Sequence, residues 1–163
     1  LYGSGGKGIR IEPKNTIRRS KMEFPLLIQE FVESTKGVPG INLKSDHVVA
    51  DLRIIFINHT MIYALSRIAK DDSLFTNFHQ GARAMLVPLS KIPKEVFPAI
   101  NDIKKTLKMF TYTNYSLDFM FTNEGEIKLI EMNTTPGFDL LHIVGDEAIK
   151  NTHFNKFFEI LYD

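Results

Sequence analysis

Two apolar runs flank a turn signal near the end of the chain, and together they predict a β-hairpin. The runs are residues 115–122 and 127–133, and the turn signal is Asn123-Glu124-Gly125-Glu126. In the register that this turn sets, Asp118 lies opposite Glu131, with the two side chains about 5 Å apart. Asn133 shares their face because strand side chains alternate between the two faces of a sheet. The hairpin therefore gathers three oxygen-bearing side chains around one point.

Two facing carboxylates repel each other, so this pair indicates a cation. Without one, Asp118 and Glu131 would destabilise the sheet by about 0.2 to 1 kcal/mol, and Asp118→Asn would relieve that strain. Two carboxylates and an amide suit Mg²⁺ or Mn²⁺ better than zinc. We therefore predict a metal site at Asp118, Glu131 and Asn133. The hairpin alone leaves open a hydrated sheet face with an accidental carboxylate pair and an Asn that begins a turn.

Composition limits the classes of protein to which the chain can belong. Its 163 residues with 44% hydrophobic content can bury a core as one domain or as two small lobes. The 20 basic and 19 acidic residues give no electrostatic case for a nucleic-acid partner or a membrane surface. The absence of cysteine excludes thiolate chemistry, and no run approaches the ~20 apolar residues of a membrane-spanning helix. We expect a cytoplasmic protein, and the sequence leaves homo-oligomerisation open.

The remaining patterns predict an α+β fold with an antiparallel sheet. Residues 25–32 have the composition of a buried strand, and two further strands are expected at 48–58 and 61–68. Apolar residues at helical spacing predict a helix within 90–110. A last helix is expected to begin at Asn151 as N-cap, with four apolar side chains in the core: Phe154, Phe157, Phe158 and Leu161.

A glycine-rich segment, Gly3-Ser4-Gly5-Gly6-Lys7-Gly8, lies close to the first residue. Glycine lets backbone N–H groups approach a polyphosphate closely, and Lys7 adds a positive charge. The segment does not match the P-loop pattern, because Gly8 stands where Ser or Thr is required. Taken alone, it is equally typical of a flexible linker or an expression scar.

Charged residues also lie within the two predicted strands at 48–58 and 61–68. Asp51 and Arg53 share one strand face, and Arg67 lies near the end of the next strand. One interpretation is a surface ion pair between Asp51 and Arg53, worth roughly 0 to 1 kcal/mol. The functional interpretation is that the guanidinium groups bind a carboxylate or stabilise a transferring phosphoryl group.

Taken in order, these segments resemble the ATP-grasp superfamily, in particular its branch of ribosomal-protein glutamate ligases, lysine-biosynthesis ligases and related peptide ligases. The resemblance covers residues 3–138. It rests on Gly3-Ser4-Gly5-Gly6-Lys7-Gly8-Ile9, Gln29-Glu30-Phe31-Val32, Asp51-Leu52-Arg53, Arg67, Thr76-Asn77-Phe78-His79-Gln80-Gly81, Leu117-Asp118-Phe119 and Ile130-Glu131-Met132-Asn133-Thr134-Thr135-Pro136-Gly137-Phe138.

The resemblance implies an ATP site and a role for each matching residue. Asp118, Glu131 and Asn133 would hold Mg²⁺ against the ATP phosphates. Arg67 would face the transferring phosphoryl group, and Arg53 with Asn77 would lie near phosphate or the acceptor carboxylate. The residues that would contact the nucleotide are Gly5, Gly6 and Lys7 over the phosphates and the hinge segment Gln29, Glu30, Phe31 and Val32 at the adenine. Because 18 residues separate Val32 from Asp51, the ribose-binding residue is left unassigned.

The resemblance also implies a domain organisation and a reaction. In this superfamily further N-terminal structure precedes the matching region, so we expect residues 1–32 to be the remnant of a small lobe and 33–163 the C-terminal lobe. The implied reaction is ATP-dependent joining of a small-molecule or peptide carboxylate to an amine through an acyl phosphate, and we expect the isolated fragment to be inactive. The alternatives are an ATP-grasp kinase that phosphorylates a hydroxyl and a non-catalytic ATP-binding module.

Overall fold

The described residues form a central sheet of five antiparallel strands. The structure is a computed structural model that describes residues 9–17, 27–42, 47–77 and 81–162. The strands are β1 (Ala50–Ile57), β2 (Thr60–Ile68), β3 (Arg83–Val87), β4 (Asn114–Phe121) and β5 (Ile127–Asn133), and they lie in the order β3-β2-β1-β4-β5. The α+β fold with an antiparallel sheet that the sequence predicts is therefore confirmed.

Within the part of the chain that the structure describes, three helices cover the two faces of this sheet. They are α1 (Phe97–Leu107), α2 (Asp139–Val144) and α3 (Glu147–Tyr162), and short 3₁₀ turns lie at Lys14–Thr16, Leu89–Lys91 and Lys94–Val96. None of the helices in the described ranges is long and apolar enough to span a membrane.

One face of the sheet, the core face, holds the main hydrophobic core. Alternate residues of the two central strands point to it and are fully buried, among them Leu52, Ile54, Phe56, Leu117 and Phe119. Helix α1 packs on this face through Ile100, Ile103 and Leu107, which lie at helical spacing, and Val96 directly before the helix belongs to the same core. This packing holds β1 and β4 in place, and so fixes the positions of the side chains that these strands place on the opposite face.

The opposite face, the site face, is apolar at one end and charged at the other. At the apolar end, Ile55, Tyr63 and Leu65 pack against Leu140 and Leu141 of α2. The charged end begins two residues further along each strand, at Arg53 beyond Ile55 and at Arg67 beyond Leu65, which are the next side chains on the same face. Helices α2 and α3 therefore cover one half of this face.

Two β-bulges set which side chains reach the site face. In β2, Ile55 pairs with Tyr63 and Phe56 with Met61, so Ile62 is the extra residue. In β5, Asp118 pairs with Glu131 and Phe119 with Leu129, so Ile130 is the extra residue. A bulge shifts the register by one position and so changes which residues face each other. The pairing of Asp118 with Glu131 is as the sequence predicts, but the bulge at Ile130 produces it after a turn one residue longer than expected.

The segment before the sheet is attached to the turn of the β4–β5 hairpin. The side-chain oxygen of Asn123 accepts hydrogen bonds from the backbone N–H and the hydroxyl of Thr35, at 2.9 and 3.1 Å. The backbone N–H of Asn123 donates to the carbonyl of Glu33 at 3.2 Å. Residues 33–35 therefore lie against the hairpin turn, and the segment that ends at Val32 leads directly to it.

Three sequence expectations about these elements are wrong. Residues 27–32, the described part of the predicted strand, form no strand, and Leu27 and Ile28 are 72% and 66% exposed because no described strand lies beside them. Helix α3 begins four residues before Asn151, since the Asp146 carboxylate accepts the N–H of Ile149 at 3.0 Å and acts as the N-cap. Phe158 and Leu161 are exposed and lie outside the core. The predicted division at residue 32 stays a prediction.

The buried residue of α3 is His153, which lies among aromatic rings. Its ring centroid is 4.9 Å from Phe138, 5.6 Å from Tyr63 and 6.4 Å from Phe157. Neither ring nitrogen has a hydrogen-bond partner within the described residues. Burial lowers the pKa of His153, because the surrounding rings cannot solvate an imidazolium.

We expect this histidine to make the fold acid-sensitive. Unfolded His titrates near pH 6.5, so below that pH the unfolded chain binds a proton that the folded chain refuses, and stability falls. The slope approaches about 1.4 kcal/mol per pH unit. Urea unfolding at pH 7.5, 6.5 and 5.5 should show His153→Phe losing less stability than wild type over this range. His142→Phe, a change at an exposed imidazole of α2, should keep the wild-type slope, and equal slopes for all three proteins would contradict the account.

Candidate functional site

Four charged side chains of alternating sign meet at the charged end of the site face. The chain of contacts runs from Asp51 to Arg67, from Arg67 to Asp118 and from Asp118 to Arg53. The strands β2, β1 and β4 bring them together, because Asp51 pairs with Arg67 across one ladder and Arg53 with Asp118 across the next. Two carboxylates and two guanidinium groups give this network no net charge. We call it the charged network.

The contacts within the charged network are short and mostly bidentate. Arg67 donates from Nε and Nη2 to the two oxygens of Asp51, at 2.8 and 2.5 Å. Arg53 binds Asp118 in the same way, at 2.8 and 2.6 Å. A second hydrogen of Arg67 Nη2 reaches Asp118 Oδ2 at 2.6 Å and joins the two pairs. Such paired donors fix both the distance and the plane of the partners.

Three members of the charged network are buried, and Arg53 is partly exposed. Asp118, Asp51 and Arg67 are 2%, 4% and 7% exposed. Removing charges from water is costly, and only mutual attraction with full hydrogen bonding offsets that cost. Each member therefore depends on its neighbours for its stability.

Burial and charge shift the proton affinities in opposite ways. Burial raises the pKa of Asp51, and the charge of Arg67 with the hydrogen bonds to Asp51 only partly opposes this. For Arg67, burial alone would lower the pKa, but the charges of Asp51 and Asp118 outweigh it and the pKa lies above its ordinary value. Arg67 is thus always a cation, whereas Asp51 takes up a proton more readily than an ordinary aspartate.

Glu131 and Asn133 extend the site along β5. Glu131 lies opposite Asp118 and is exposed. Asn133 pairs with Ser116, and its side-chain oxygen accepts the N–H of Thr135 at 2.9 Å. Asn133 does begin a turn, as the alternative interpretation of the hairpin has it. Its side-chain oxygen has a second lone pair, which is left to bind a cation.

The donor atoms on this face are compatible with a hard cation. They are carboxylate and amide oxygens, which Mg²⁺ prefers. Asp118 Oδ1 accepts one hydrogen bond from the described residues and Oδ2 accepts two, so Oδ1 is the more available oxygen. Within the described ranges no cluster of three His, Cys, Asp or Glu side chains forms a closed metal cage. An ion here would therefore depend on Asn133 and on oxygens that a ligand brings.

The repulsion argument for the metal is wrong as a statement about Asp118. Its carboxylate faces Glu131 as predicted, but Arg53 and Arg67 neutralise it from the other side. The carboxylate pair therefore does not by itself require a cation. The alternative interpretation, an ion pair between Asp51 and Arg53, is also wrong, because Asp51 pairs with Arg67 and Arg53 pairs with Asp118.

The other predicted site residues lie outside the charged network, and some lie outside the described residues. Asn77 is half-buried directly after Thr76, which touches the charged network. The hinge residues Gln29, Glu30, Phe31 and Val32 approach the hairpin turn, and the first three are exposed. The glycine-rich loop residues Gly5, Gly6 and Lys7 lie outside the described residues.

Sequence reasoning missed Thr76 as a member of this site. Its hydroxyl donates to Asp51 Oδ2 at 2.6 Å, and the residue is buried. The run that begins at Thr76 stood out in the sequence, but nothing in its spacing linked it to Asp51. That link needs the register of β1 and β2, which the bulge at Ile62 sets.

A groove opens beside Asn133 at the start of β4. None of its lining side chains among the described residues is charged. They are Tyr112, Asn114, Thr134, Thr135, Pro136, Phe138 and Phe157. Tyr112 has φ of 58°. The Asn58 N–H donates to the Thr113 carbonyl at 2.8 Å, and the Thr113 N–H donates to Asn58 Oδ1 at 3.1 Å, so this loop is held in place. The groove therefore has a fixed floor and neutral walls.

Comparison with known proteins gives a consistent result. A family model described as a RimK-like ATP-grasp domain matches residues 3–151. A probable alpha-L-glutamate ligase of Vibrio parahaemolyticus is 26% identical over 161 residues, which is 95% of this chain and 47% of that protein. A probable alpha-L-glutamate ligase of Legionella pneumophila is 28% identical over 145 residues, or 85% of this chain and 42% of that protein.

The chain spans about half the length of the curated relatives it matches. Among solved structures, the ATP-grasp ligase PsnB, complexed with a phosphomimetic variant of its minimal precursor, Mg and ADP, matches with a TM-score of 0.41 and 18% identity. That match covers 66% of this chain and 33% of the PsnB chain.

We expect Asp118→Asn to destabilise the fold, the reverse of what carboxylate repulsion alone predicts. The substitution leaves Arg53 and Arg67 buried with fewer negative partners, and breaking a buried ion pair in this way costs about 3 to 5 kcal/mol. Urea unfolding in chelator measures the effect. Glu131→Gln is the matched control at the exposed partner and should change stability by less than about 0.5 kcal/mol. An Asp118→Asn protein as stable as wild type would show that the network contributes nothing.

Proposed function

Because the chain belongs to the RimK-like ATP-grasp family, we propose that it carries the phosphoryl-transfer site of an ATP-dependent ligase. The ligase joins a carboxylate to an amine through an acyl phosphate. The observation that carries this proposal is the buried Arg67, which is held by two carboxylates beside the oxygen ligands of the β4–β5 hairpin. The acceptor amine and the carboxylate are small molecules or peptides.

The proposed placement of ATP follows the hairpin from its turn to Asp118. Residues 33–35 bind the turn through Asn123, so the hinge segment that precedes them leads to that end of the hairpin. Asp118 lies four residues before Thr122, about 13 Å along an extended strand. That separation suits a nucleotide with adenine near residues 29–32 and its phosphates near the charged network. In this arrangement, Gly5, Gly6 and Lys7 would lie over the phosphates.

Asp118, Glu131 and Asn133 would hold Mg²⁺. When bound, the ion would offset the negative charge of the phosphate oxygens. The oxygen-only donor set supports this assignment, and the Glu131 side chain is exposed and makes no hydrogen bond within the described residues. Arg53 would share Asp118 with the ion or turn towards the phosphates.

The reaction has two steps, and neither needs a protein nucleophile. In the first, a carboxylate oxygen of the substrate attacks the γ-phosphorus and the bond to the β-phosphate oxygen breaks, which releases ADP. In the second, the amine attacks the acyl carbon, phosphate leaves and the nitrogen loses a proton. Arg67 stabilises the charge spread over the phosphoryl oxygens in the first step, where a preorganised cation is most effective. Arg53 and Asn77 bind phosphate or the acceptor carboxylate.

The groove beside Asn133 supplies a place for the acceptor. It adjoins the last oxygen ligand of the hairpin, so a bound amine lies close to the transferring group. Its described lining residues are aromatic, hydroxyl, amide and proline side chains without charge. An uncharged part of the acceptor therefore fits it better than a carboxylate.

The test of the ligase is that ADP release depends on both an amine and a carboxylate and yields an amide, detected by mass spectrometry. The assay uses a chain of the relatives' full length, because the 163 residues span about half of it. ADP release that needs a hydroxyl compound instead would indicate a kinase. Background release with every pair of substrates would indicate a non-catalytic ATP-binding module.

We expect Arg67→Lys to lower kcat about 10²- to 10³-fold while the KM for ATP changes far less. Lysine keeps the charge but loses the planar fork, and the charge that Arg67 meets is greatest in the transition state. Steady-state kinetics on a protein shown to be folded measure both constants. Arg83→Lys, at an exposed arginine on the edge strand of the same sheet, should leave both unchanged. Equal losses in kcat and ATP affinity for Arg67→Lys would mean that Arg67 binds only ground-state phosphate.

A further inference from the structure

Arg67 has three of its five N–H groups committed to carboxylates. Nε and Nη2 face Asp51, and the second hydrogen of Nη2 faces Asp118. The two N–H groups of Nη1 make no hydrogen bond within the described part of the chain. One edge of the guanidinium is thus fixed, and the Nη1 edge is the one left for a ligand.

The carboxylate that fixes Arg67 is itself held by one further group. The Thr76 hydroxyl donates to Asp51 Oδ2 at 2.6 Å, the same oxygen that accepts from Arg67 Nη2 at 2.5 Å. Both Asp51 and Thr76 are buried, so water does not compete for these contacts. Thr76 lies nine residues after Arg67 in the chain and outside the strands, so it reaches the network from a separate segment.

We propose that Asp51 and Thr76 are positioning residues for Arg67, and that they fix the plane of its guanidinium so that the Nη1 edge stays available to the transferring phosphoryl group. This inference rests on the proposed function for the identity of the group that Arg67 meets. A cation that needs no reorientation at the moment of reaction is worth more than a mobile one, because the cost of ordering it is met during folding. Asp118 alone cannot supply this, since it touches Arg67 through a single nitrogen.

Two substitutions at residue 76 isolate the hydrogen bond. Thr76→Val removes the O–H donor at nearly constant volume, and Thr76→Ser restores it. The control is Thr106→Val at an exposed position of α1, which removes a hydroxyl hydrogen bond of 2.9 Å to the backbone carbonyl of Asp102. Melting temperatures confirm that each protein folds.

The first measurement uses the 163-residue chain and needs no activity. Hydrogen exchange of the Arg67 Nε–H, followed by NMR, reports how firmly Asp51 holds the guanidinium. We expect exchange roughly 3- to 10-fold faster in Thr76→Val, the effect of losing one hydrogen bond. Exchange should be unchanged in Thr76→Ser and Thr106→Val. Equal exchange in wild type and Thr76→Val would overturn the proposal.

The second measurement uses a chain of the relatives' full length and separates positioning from mere stability. Thr76→Val should lower kcat about 10-fold with little change in the KM for ATP, and Thr76→Ser should restore it. Thr76→Val with wild-type kcat would overturn the proposal while leaving the ligase intact. A wild-type protein without any ligase activity would instead overturn the proposed function, and the exchange measurement would still decide whether Thr76 holds Arg67.

The pH profile gives a readout that a purely structural role would not move. The charged groups that face Asp51 are Arg67 from β2 and Asp118 from β4, with Arg53 two residues away on β1. The Thr76 hydrogen bond lowers the pKa of Asp51, so its loss raises that pKa further. The acidic limb of the kcat profile should therefore move to higher pH in Thr76→Val only. Identical limbs in Thr76→Val and wild type would contradict the role of Asp51.

Discussion

The mutual neutralisation of Asp51, Arg67, Asp118 and Arg53 is the interaction on which the rest of the site depends. No one of these groups could be buried alone, because an unpaired charge in the sheet would cost several kcal/mol. Together they form a neutral, hydrogen-bonded unit across β2, β1 and β4. The core face of β1 and β4 supplies the apolar area that holds these strands in register. With the strands in register, the hydrogen bonds of the charged network fix the positions of the two guanidinium groups.

The two β-bulges explain how one sheet can carry both an apolar core and this array. The two-residue turn at Asn58 and His59 would by itself place Asp51 opposite Ser66, with Arg67 on the core face. The bulge at Ile62 shifts the register so that Arg67 meets Asp51. The bulge at Ile130 does the same for Glu131 opposite Asp118. Bulges are common beside functional sites because they aim side chains in this way.

Sequence patterns predicted the parts of the fold that depend on local chemistry. The alternation and turn residues around Asn123 were enough for the hairpin and for the pairing of Asp118 with Glu131. They were not enough for the partners of Asp118, because the guanidinium groups arrive from strands 51 and 65 positions away in the chain. Thr76 was missed for the same reason. The exposed segment at Leu27 and Ile28 shows the converse, since its strand-like composition has no described neighbour with which to pair.

The same network gives the proposed ligase a cationic group that is oriented before any substrate binds. Arg67 is held by two carboxylates, and Asp118 is bound by both arginines and lies opposite Glu131 of β5. A ligand that draws Asp118 towards β5 would release Arg53 towards the phosphates.

The account depends most directly on the coupling between Asp51 and Arg67, which a double-mutant cycle measures. Urea unfolding of wild type, Asp51→Leu, Arg67→Met and the double variant gives the interaction free energy. Asp51→Leu leaves the buried Arg67 with Asp118 as its remaining described carboxylate, and Arg67→Met leaves the buried Asp51 without a described guanidinium partner. The double change removes both charges. We predict that the double variant is more stable than the sum of the two single effects by about 2 kcal/mol or more. Additive effects, within about 0.5 kcal/mol, would contradict the claim that the charged network holds the site together.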